Sequence, residues 1–172
     1  MSKVNGKAKG NKFERDIANL LSERFRDYTG IEKSFRRNPD SGSFFGGTNV
    51  ERKDIYDTEF AIYGDLICPR NFNFTVECKH YKSPPTVNAI LKESVSEWDE
   101  WIEQAWQDAE ACGKEPLIII RYNRTETLTI TKPDFVSSKA IILYKDVEIH
   151  RLEQVLLEDN QFFFTENDND DI

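Results

Sequence analysis

Apolar residues near the start of the chain recur at helical spacing. Within 11–25 they fall three or four positions apart, at Phe13, Ile17, Leu20, Leu21 and Phe25. An apolar stripe of this period on an otherwise polar segment predicts an amphipathic helix that packs on a core. The ten residues before it are polar and rich in Lys and Gly, so we predict a flexible basic arm at 1–10.

The remainder of the chain switches between strand-like and helix-like patterns. Strands are predicted at 31–37, 60–67, 72–79, 117–120, 128–131 and 141–144, and helices at 87–112 and 151–158. The continuous apolar run at 117–120 is typical of a buried central strand. The short turn at 68–71 favours a hairpin between the strands on either side of it. This order predicts an α/β fold in which a mixed β-sheet is flanked by helices.

Length and composition favour one globular unit. The 172 residues suit a single domain, which we place at 11–165, and the acidic residues 166–172 are typical of a disordered tail. The start of the chain lacks the apolar core of a signal peptide and no run is long enough for a membrane span, so we expect a cytoplasmic protein. Three cysteines without a C-x-x-C pair argue against a disulfide framework or a zinc knuckle and favour buried thiols.

Charge is segregated along the chain. The net charge is −8, yet residues 1–53 hold 12 Lys/Arg against 7 Asp/Glu, a net of +5, while residues 54–172 carry −13. A basic first third is compatible with a phosphate-binding face, and equally with a solvated surface that has no partner. The predicted helix at 87–112 is strongly acidic, and we expect it to point away from any nucleic acid.

The strongest chemical pattern is Gly64-Asp65, then eleven residues, then Glu77-Cys78-Lys79. Positions i and i+2 of a strand share a face, so Glu77 and Lys79 should project side by side with Cys78 turned away. If the predicted hairpin forms, Asp65 can lie beside Glu77. On its own, a Glu and a Lys at this spacing is also common on the solvated face of an edge strand.

Two converging carboxylates would repel each other unless a cation lay between them. Hard oxygen ligands suit Mg²⁺, with Mn²⁺ as a possible substitute. A lysine beside such an ion and a phosphate could orient or deprotonate an attacking water and offset negative charge on the phosphorus. The pattern therefore predicts hydrolysis of phosphodiesters.

These residues resemble the D-x11-E-x-K pattern of the PD-(D/E)XK nuclease superfamily. More narrowly, the chain resembles the archaeal-type Holliday junction resolvases and their phage relatives. They share a basic opening segment, here Lys9-Gly10-Asn11-Lys12-Phe13-Glu14-Arg15-Asp16. Here it is followed by Arg36-Arg37, by Ser41-Gly42 and by the Gly-Asp motif. The segment 43–63 is longer than expected for a resolvase, and the acidic net charge is also unlike one.

The resemblance implies a restriction-endonuclease-like core, a magnesium-dependent endodeoxyribonuclease activity and a homodimer. It implies a catalytic set of Glu14, Asp65, Glu77 and Lys79, in which the three acidic side chains and the backbone carbonyl of Cys78 are metal ligands. Phosphates would be bound by the basic opening segment and the Ser-Gly loop, that is Lys7, Lys9, Lys12, Arg36, Arg37, Ser41 and Gly42. Gln104 on the acidic helix is a possible orienting residue.

Three functions remain open at this point. The first is a junction-resolving endonuclease, whose two-fold symmetry would match two equivalent strands. The second is another PD-(D/E)XK nuclease of repair, recombination or defence. The third is a non-catalytic DNA-binding module on the same fold, against which the intact acidic pair and lysine argue.

Overall fold

The computed structural model describes residues 6–38 and 63–166. Its first part holds α1 (Gly6–Arg24), α2 (Arg26–Thr29) and β1 (Arg36–Arg37). Its second part holds β2 (Leu66–Ile67), β3 (Phe74–Tyr81), α3 (Val87–Leu91), α4 (Ser96–Cys112), β4 (Glu115–Tyr122), β5 (Thr127–Thr131), β6 (Ile142–Tyr144), β7 (Val147–Arg151), α5 (Leu152–Val155) and α6 (Asn160–Phe163). Residues 6–10, which the sequence predicts to be part of a flexible arm, are helical.

The central element is a five-stranded sheet with the order β3-β4-β5-β7-β6. β3 and β4 run parallel, whereas every other neighbouring pair is antiparallel. The apolar run at 117–120 lies in β4, which is hydrogen-bonded on both sides. The predicted mixed sheet with flanking helices is therefore confirmed, and β3 forms one edge of it.

Two apolar layers cover the two faces of this sheet. On one face, α1 buries Phe13, Ile17 and Leu21 against side chains that include Val76 and Ile119. On the other face, α4 buries three side chains of its apolar stripe, namely Trp98, Trp101 and Ala105, against β4 and its neighbours. Of the predicted α1 stripe, only Leu20 remains largely exposed. Successive side chains of β3 and β4 point alternately into these two layers. The position of a polar residue in its strand therefore determines whether it faces α1 or α4.

The predicted hairpin between residues 60–67 and 72–79 is wrong. β2 pairs antiparallel with β1, placing Arg36 opposite Ile67, and residues 60–62 lie outside the described range. The turn itself forms, with the Phe72 N–H donating to the Pro69 carbonyl at 3.0 Å, but Phe72 then pairs with Phe164 and is buried against Phe35 in an aromatic cluster. Tertiary packing of this phenylalanine therefore overrides the local pairing signal.

The predicted helix at 87–112 is two helices. The chain breaks between α3 and α4, where Glu93 adopts a left-handed backbone with φ 51°. Contacts with a later strand explain the break: Val95 donates its N–H to the Tyr144 hydroxyl at 2.9 Å, and the Glu93 carboxylate accepts from the backbone of Lys145.

The C-terminal part also differs from the predicted pattern. Strand β7 precedes the predicted helix at 151–158, of which only α5 forms, and α6 follows where no helix was predicted. α6 is anchored by Phe163, which is buried in the aromatic cluster. Among the described residues, no helix combines the length and apolar character needed to cross a membrane. All three cysteines are buried thiols, as predicted.

Candidate active site

Glu77 and Lys79 lie side by side on the edge strand β3. The Lys79 Nζ donates to the Glu77 Oε2 at 2.9 Å, and the Glu77 residue is only 4% exposed. Cys78 points the other way, into the apolar layer under α1. The spacing of two along a strand therefore separates the polar pair from the thiol, as the sequence predicts.

Asp65 reaches the same place through a loop rather than a hairpin. Its backbone N–H donates to the Val76 carbonyl, and its Oδ2 accepts from the Cys78 N–H, both at 2.8 Å. These two bonds hold Asp65 against the open edge of β3. Asp65 also shares a side-chain hydrogen bond with Glu77, so the two carboxyl groups are in direct contact.

Gly64 makes this close approach possible. Its φ is +74°, and a Cβ built at this position would lie 2.9 Å from the backbone oxygen of Val76. A side chain here would combine left-handed strain with a clash against a hydrogen-bonded strand. Only glycine lets Asp65 follow directly and still bond to β3.

We expect Gly64→Ala to destabilise the protein by about 1–3 kcal/mol and to lower activity by displacing Asp65. The control is Gly30→Ala, because Gly30 has a similar φ of +66° but no atom near its missing Cβ. Denaturant unfolding of both variants separates backbone strain from the clash. Equal losses of stability in the two proteins would show that the contact with Val76 is unimportant.

Glu14 is held by an arginine rather than left free. Arg37 on β1 donates from Nε to the Glu14 Oε2 at 2.5 Å and from Nη2 to the Asn11 Oδ1 at 3.0 Å. Arg37, expected to bind phosphate, thus ties β1 to the acidic residue of α1. Asn11 is a partner that sequence reasoning missed, although it lies three residues before Glu14 on the helix.

The pKa values of these acids show how closely the charges are packed. Burial raises the pKa of Glu77 to about 7, and the negative charge of Asp65 adds to the rise while Lys79 opposes it. Burial likewise raises the pKa of Glu14, again with a contribution from Asp65 that Arg37 partly offsets. The charge of Asp65 therefore raises the pKa of both Glu14 and Glu77, so these three carboxyl groups form one electrostatic cluster.

The lysine of the cluster remains a cation. Burial by itself lowers the pKa of Lys79, but the neighbouring Glu77 and Asp65 charges outweigh it and leave the pKa raised. At neutral pH Lys79 is therefore an ammonium group. The site combines two contacting carboxyl groups, one held glutamate and one buried cation.

The chain matches, over residues 5–163, the protein family described as "Phage putative PDDEXK endonuclease". It belongs to this phage PDDEXK endonuclease family. The chain is also similar to a solved structure, determined at 1.6 Å resolution, of Hjc, a Holliday junction resolvase from the archaeal hyperthermophile Archaeoglobus fulgidus. That similarity has a TM-score of 0.36 and 15% identity, and it covers 86% of this chain and 87% of the other. No curated protein matched the chain.

The donor set of this PDDEXK site fits a hard divalent cation. The Asp65 and Glu77 carboxyl groups touch each other, and a bound cation would relieve their repulsion. The Cys78 N–H points to the Asp65 side of β3, and in a strand the carbonyl of the same residue points that way too. Within 6–38 and 63–166, no group of three or more His, Cys, Asp and Glu side chains is arranged to hold a metal. All four ligands stay predictions: Asp65, Glu77 and the Cys78 carbonyl lie on or against β3, whereas Glu14 is engaged by Arg37.

The acidic helix α4 lies closer to this site than the sequence predicts. It covers the same sheet face as Glu77 and Lys79, and Tyr81 of β3 packs against Trp101 with tilted rings whose centroids are 4.9 Å apart. Burial raises the pKa of Asp108, which also senses the charges of Lys79 and Asp65. The Asp108 flank of α4 therefore borders the site, and the expectation that this helix points away from nucleic acid stays a prediction.

Gln104 and Asp108 are one helical turn apart on α4, so they share a flank. Gln104 is exposed, and its orienting role remains a prediction. Asp108 was missed by the sequence reasoning, although its spacing of four from Gln104 could have identified it.

The predicted phosphate-binding residues fall into separate groups. Lys9 donates to the Asn123 side chain, Lys12 pairs with Asp16 at 2.6 Å, and Lys7 is exposed on the first turn of α1. Arg36 lies beside Arg37 on β1. The predicted loop residues Ser41 and Gly42 lie outside the described residues.

Proposed function

We propose that the chain is a divalent-metal-dependent endonuclease that hydrolyses phosphodiester bonds in DNA. The observation that carries this proposal is the contact between the Asp65 and Glu77 carboxyl groups beside the Lys79 ammonium. In an edge strand with a purely structural role, such a cluster would lower stability, because two like charges held close together repel each other and raise each other's pKa. Membership of the phage PDDEXK endonuclease family supports the same reaction class.

Asp65, Glu77 and the Cys78 carbonyl are proposed to hold Mg²⁺, with Mn²⁺ as a possible substitute. When bound, such an ion lowers the pKa of a coordinated water and polarises the phosphate. The chain itself contributes an acidic pair held in place by two backbone hydrogen bonds to β3. This fixed placement would suit a small, hard cation that takes few ligands from the protein.

Lys79 is proposed to orient the attacking water and to stabilise negative charge on the phosphate. Because its pKa is raised, it is protonated at neutral pH and therefore suits an electrostatic role better than that of a base. Water oxygen forms the new bond to phosphorus, the bridging P–O bond breaks, and the departing oxygen takes up a proton. The ammonium is held only 2.9 Å from Glu77, so it is positioned before substrate arrives.

Glu14 and Arg37 are proposed to form the DNA-facing border of the site. Their ion pair fixes the guanidinium next to the acidic cluster, where it can bind a phosphate near the one that is cut. Lys7, Lys9, Lys12 and Arg36 extend this basic border along α1 and β1. Ser41 and Gly42 are likewise proposed to bind DNA phosphate.

For the substrate, we favour branched DNA of the Holliday-junction type, cut by a homodimer. The motifs of the basic opening segment and the Gly-Asp pair support this choice, and two-fold symmetry would supply two sites for two equivalent strands. A repair, recombination or defence nuclease of the same superfamily would use the same chemistry on other DNA.

Cleavage assays on plasmid, single-stranded and four-way-junction DNA test this function. We expect hydrolysis with Mg²⁺ or Mn²⁺ and none with Ca²⁺, and the fastest cutting on the junction. Cutting of plasmid or single strands at the rate of the junction would favour the broader nuclease class. If all three DNAs stay intact with every ion, the proposal fails.

The raised pKa of Glu77 predicts proton-linked metal binding. Below pH 7 a proton occupies the carboxylate, so apparent Mn²⁺ affinity should fall about tenfold per pH unit as pH decreases. Calorimetric titrations of Mn²⁺ at several pH values on either side of 7 measure this slope. A metal affinity that does not change with pH would contradict Glu77 as a ligand.

The same pKa predicts a pH effect on the metal-free protein. Between the ordinary value of 4.5 and about 7, the folded protein holds a proton that the unfolded chain releases. The free energy of unfolding should therefore fall as pH rises through this window, by about 3 kcal/mol at most. Glu77→Gln should remove that slope.

A further inference from the structure

A second basic cluster lies beside the candidate active site, at the ends of β3 and β4 where Tyr81 and Tyr122 stand. His80 and Arg121 are partners in the parallel register of these strands. Both flank the buried ring of Phe13: the His80 ring centroid lies 5.2 Å from that of Phe13, and the Arg121 guanidinium lies 5.1 Å from it. The two side chains thus face α1, on the opposite side of the sheet from Lys79.

The first turns of α1 complete the cluster. Lys9 lies one turn before Phe13 and donates to the Asn123 side chain, which also hydrogen-bonds to His80. Arg121 donates from Nε to the Thr127 hydroxyl at 2.9 Å. Within residues 6–38 and 63–166, the hydrogen-bond partners of these two cations are therefore neutral groups, which orient the cations without cancelling their charge.

The positive charges are close enough to act on one another. Lys9 and Arg121 both act by their charge on the His80 ring. In a chain with a net charge of −8, this local concentration of positive charge suits an anionic partner.

The cluster adjoins the candidate active site along two elements. Phe13 precedes Glu14 on α1, and His80 follows Lys79 on β3. We propose that Lys9 and Arg121, with His80 and Asn123, bind a DNA backbone phosphate next to the one that is cut. This inference rests on the proposed nuclease function. It adds a path for the DNA strand, which would run from the Asp65–Glu77 pair across the ends of β3 and β4.

Arg121 is well suited to such a contact. Its guanidinium is held over an aromatic face and anchored through Nε, so little side-chain freedom is lost when a phosphate binds. A fork of N–H donors and a nearby ammonium match the tetrahedral oxygens of a phosphate. Contacts of this kind position a nucleic acid and carry no sequence information.

The experiment measures binding of fluorescent duplex and four-way-junction DNA by anisotropy, in Ca²⁺ and over a range of salt concentrations. We expect Lys9→Gln/Arg121→Gln to bind roughly 10- to 100-fold more weakly near 0.1 M salt, with a log–log salt slope smaller by about two. Arg121→Lys keeps the charge but loses the fork and the stacked plane, so it should retain the salt slope and only part of the affinity. In Mg²⁺ the double variant should raise KM while kcat stays near the wild-type value.

Lys139→Gln is the matched control, because Lys139 is exposed and follows Phe135, which packs on Phe74 at the opposite end of β3. The single variant Lys9→Gln keeps the test valid should the double variant misfold, and it should reduce the salt slope by about one. If wild type binds and cuts DNA while the double variant matches Lys139→Gln, this phosphate site is overturned and the nuclease function stands. If wild type neither binds nor cuts DNA, the nuclease function fails, and the phosphate site fails with it.

Discussion

Replacing Asp65 by alanine should abolish cleavage while the protein remains folded. The change removes a proposed metal ligand and the Oδ2 that accepts from the Cys78 N–H. Without this carboxylate, Glu77 and the Cys78 carbonyl are what remains of the donor set on β3, which is too few to hold a divalent ion tightly. We expect at least a thousandfold loss of rate, the scale on which an essential electrostatic group acts.

Asp65→Asn separates the two losses, because its amide oxygen can still accept from Cys78 but carries no charge. It should be as inactive as Asp65→Ala and nearer to wild type in stability. Glu100→Gln is the control, since Glu100 is an exposed acid of α4. Initial rates of plasmid nicking at saturating Mg²⁺ measure the effect. Cleavage by Asp65→Asn at the wild-type rate would show that this carboxylate is no ligand.

Removing the Asp65 charge should also change the neighbouring acids. Asp65 raises the pKa of both Glu77 and Glu14, so Asp65→Asn should lower both. The metal-free variant should then lose less stability than wild type as pH rises from 4.5 to about 7. DNA binding in Ca²⁺ should hold or improve, because one negative charge near the phosphates is gone.

The second large effect concerns Lys79. Lys79→Ala should lower kcat by a factor of about 100 to 1,000, because the ammonium beside the reacting phosphate is lost. Metal affinity should change little, since a lysine ammonium has no lone pair to donate. Single-turnover cleavage and Mn²⁺ titration separate these two properties.

Lys82→Ala is the control for this change, because Lys82 is exposed and lies three residues further along the chain. Lys79→Arg tests whether a cation alone is enough: it keeps the charge but cannot place a compact ammonium 2.9 Å from Glu77. We expect it to recover only part of the rate. A Lys79→Ala enzyme with full kcat and weakened metal binding would contradict the proposed role.

Local sequence patterns predict the parts of this site that depend on one element. The spacing of two on β3 puts Glu77 and Lys79 on one face, and helical periodicity places Glu14 next to the buried Phe13. These relations follow from backbone geometry and hold wherever the element forms. The sheet with flanking helices is predictable for the same reason, from apolar runs of characteristic length and period.

Other features depend on contacts between distant segments. The Glu14–Arg37 pair joins residues 23 positions apart, and neither local pattern indicates it. Asp65 reaches β3 through backbone bonds from a loop, not through the predicted hairpin. The break at Glu93 comes from a strand about fifty residues later, so the helical pattern of 87–112 cannot reveal it.

The second basic cluster illustrates the same limit. Arg121 and His80 become neighbours only because β4 lies parallel to β3 in a particular register. The excess of basic residues in 1–53 includes Lys9 but neither His80 nor Arg121. Asp108 is missed for a related reason. The sequence shows many acidic residues on α4, and only the packing of the helix on the sheet shows which of them lie near the site.

The most direct test of the central claim is plasmid nicking by chelated wild type and Glu77→Gln as Mg²⁺ is added back. Glu77 is chosen because it contacts both Asp65 and Lys79. We expect no nicking in the chelated state, nicking by wild type once Mg²⁺ is restored, and none by Glu77→Gln at any Mg²⁺ concentration. Nicking by chelated wild type, or by Glu77→Gln at the wild-type rate, would contradict it.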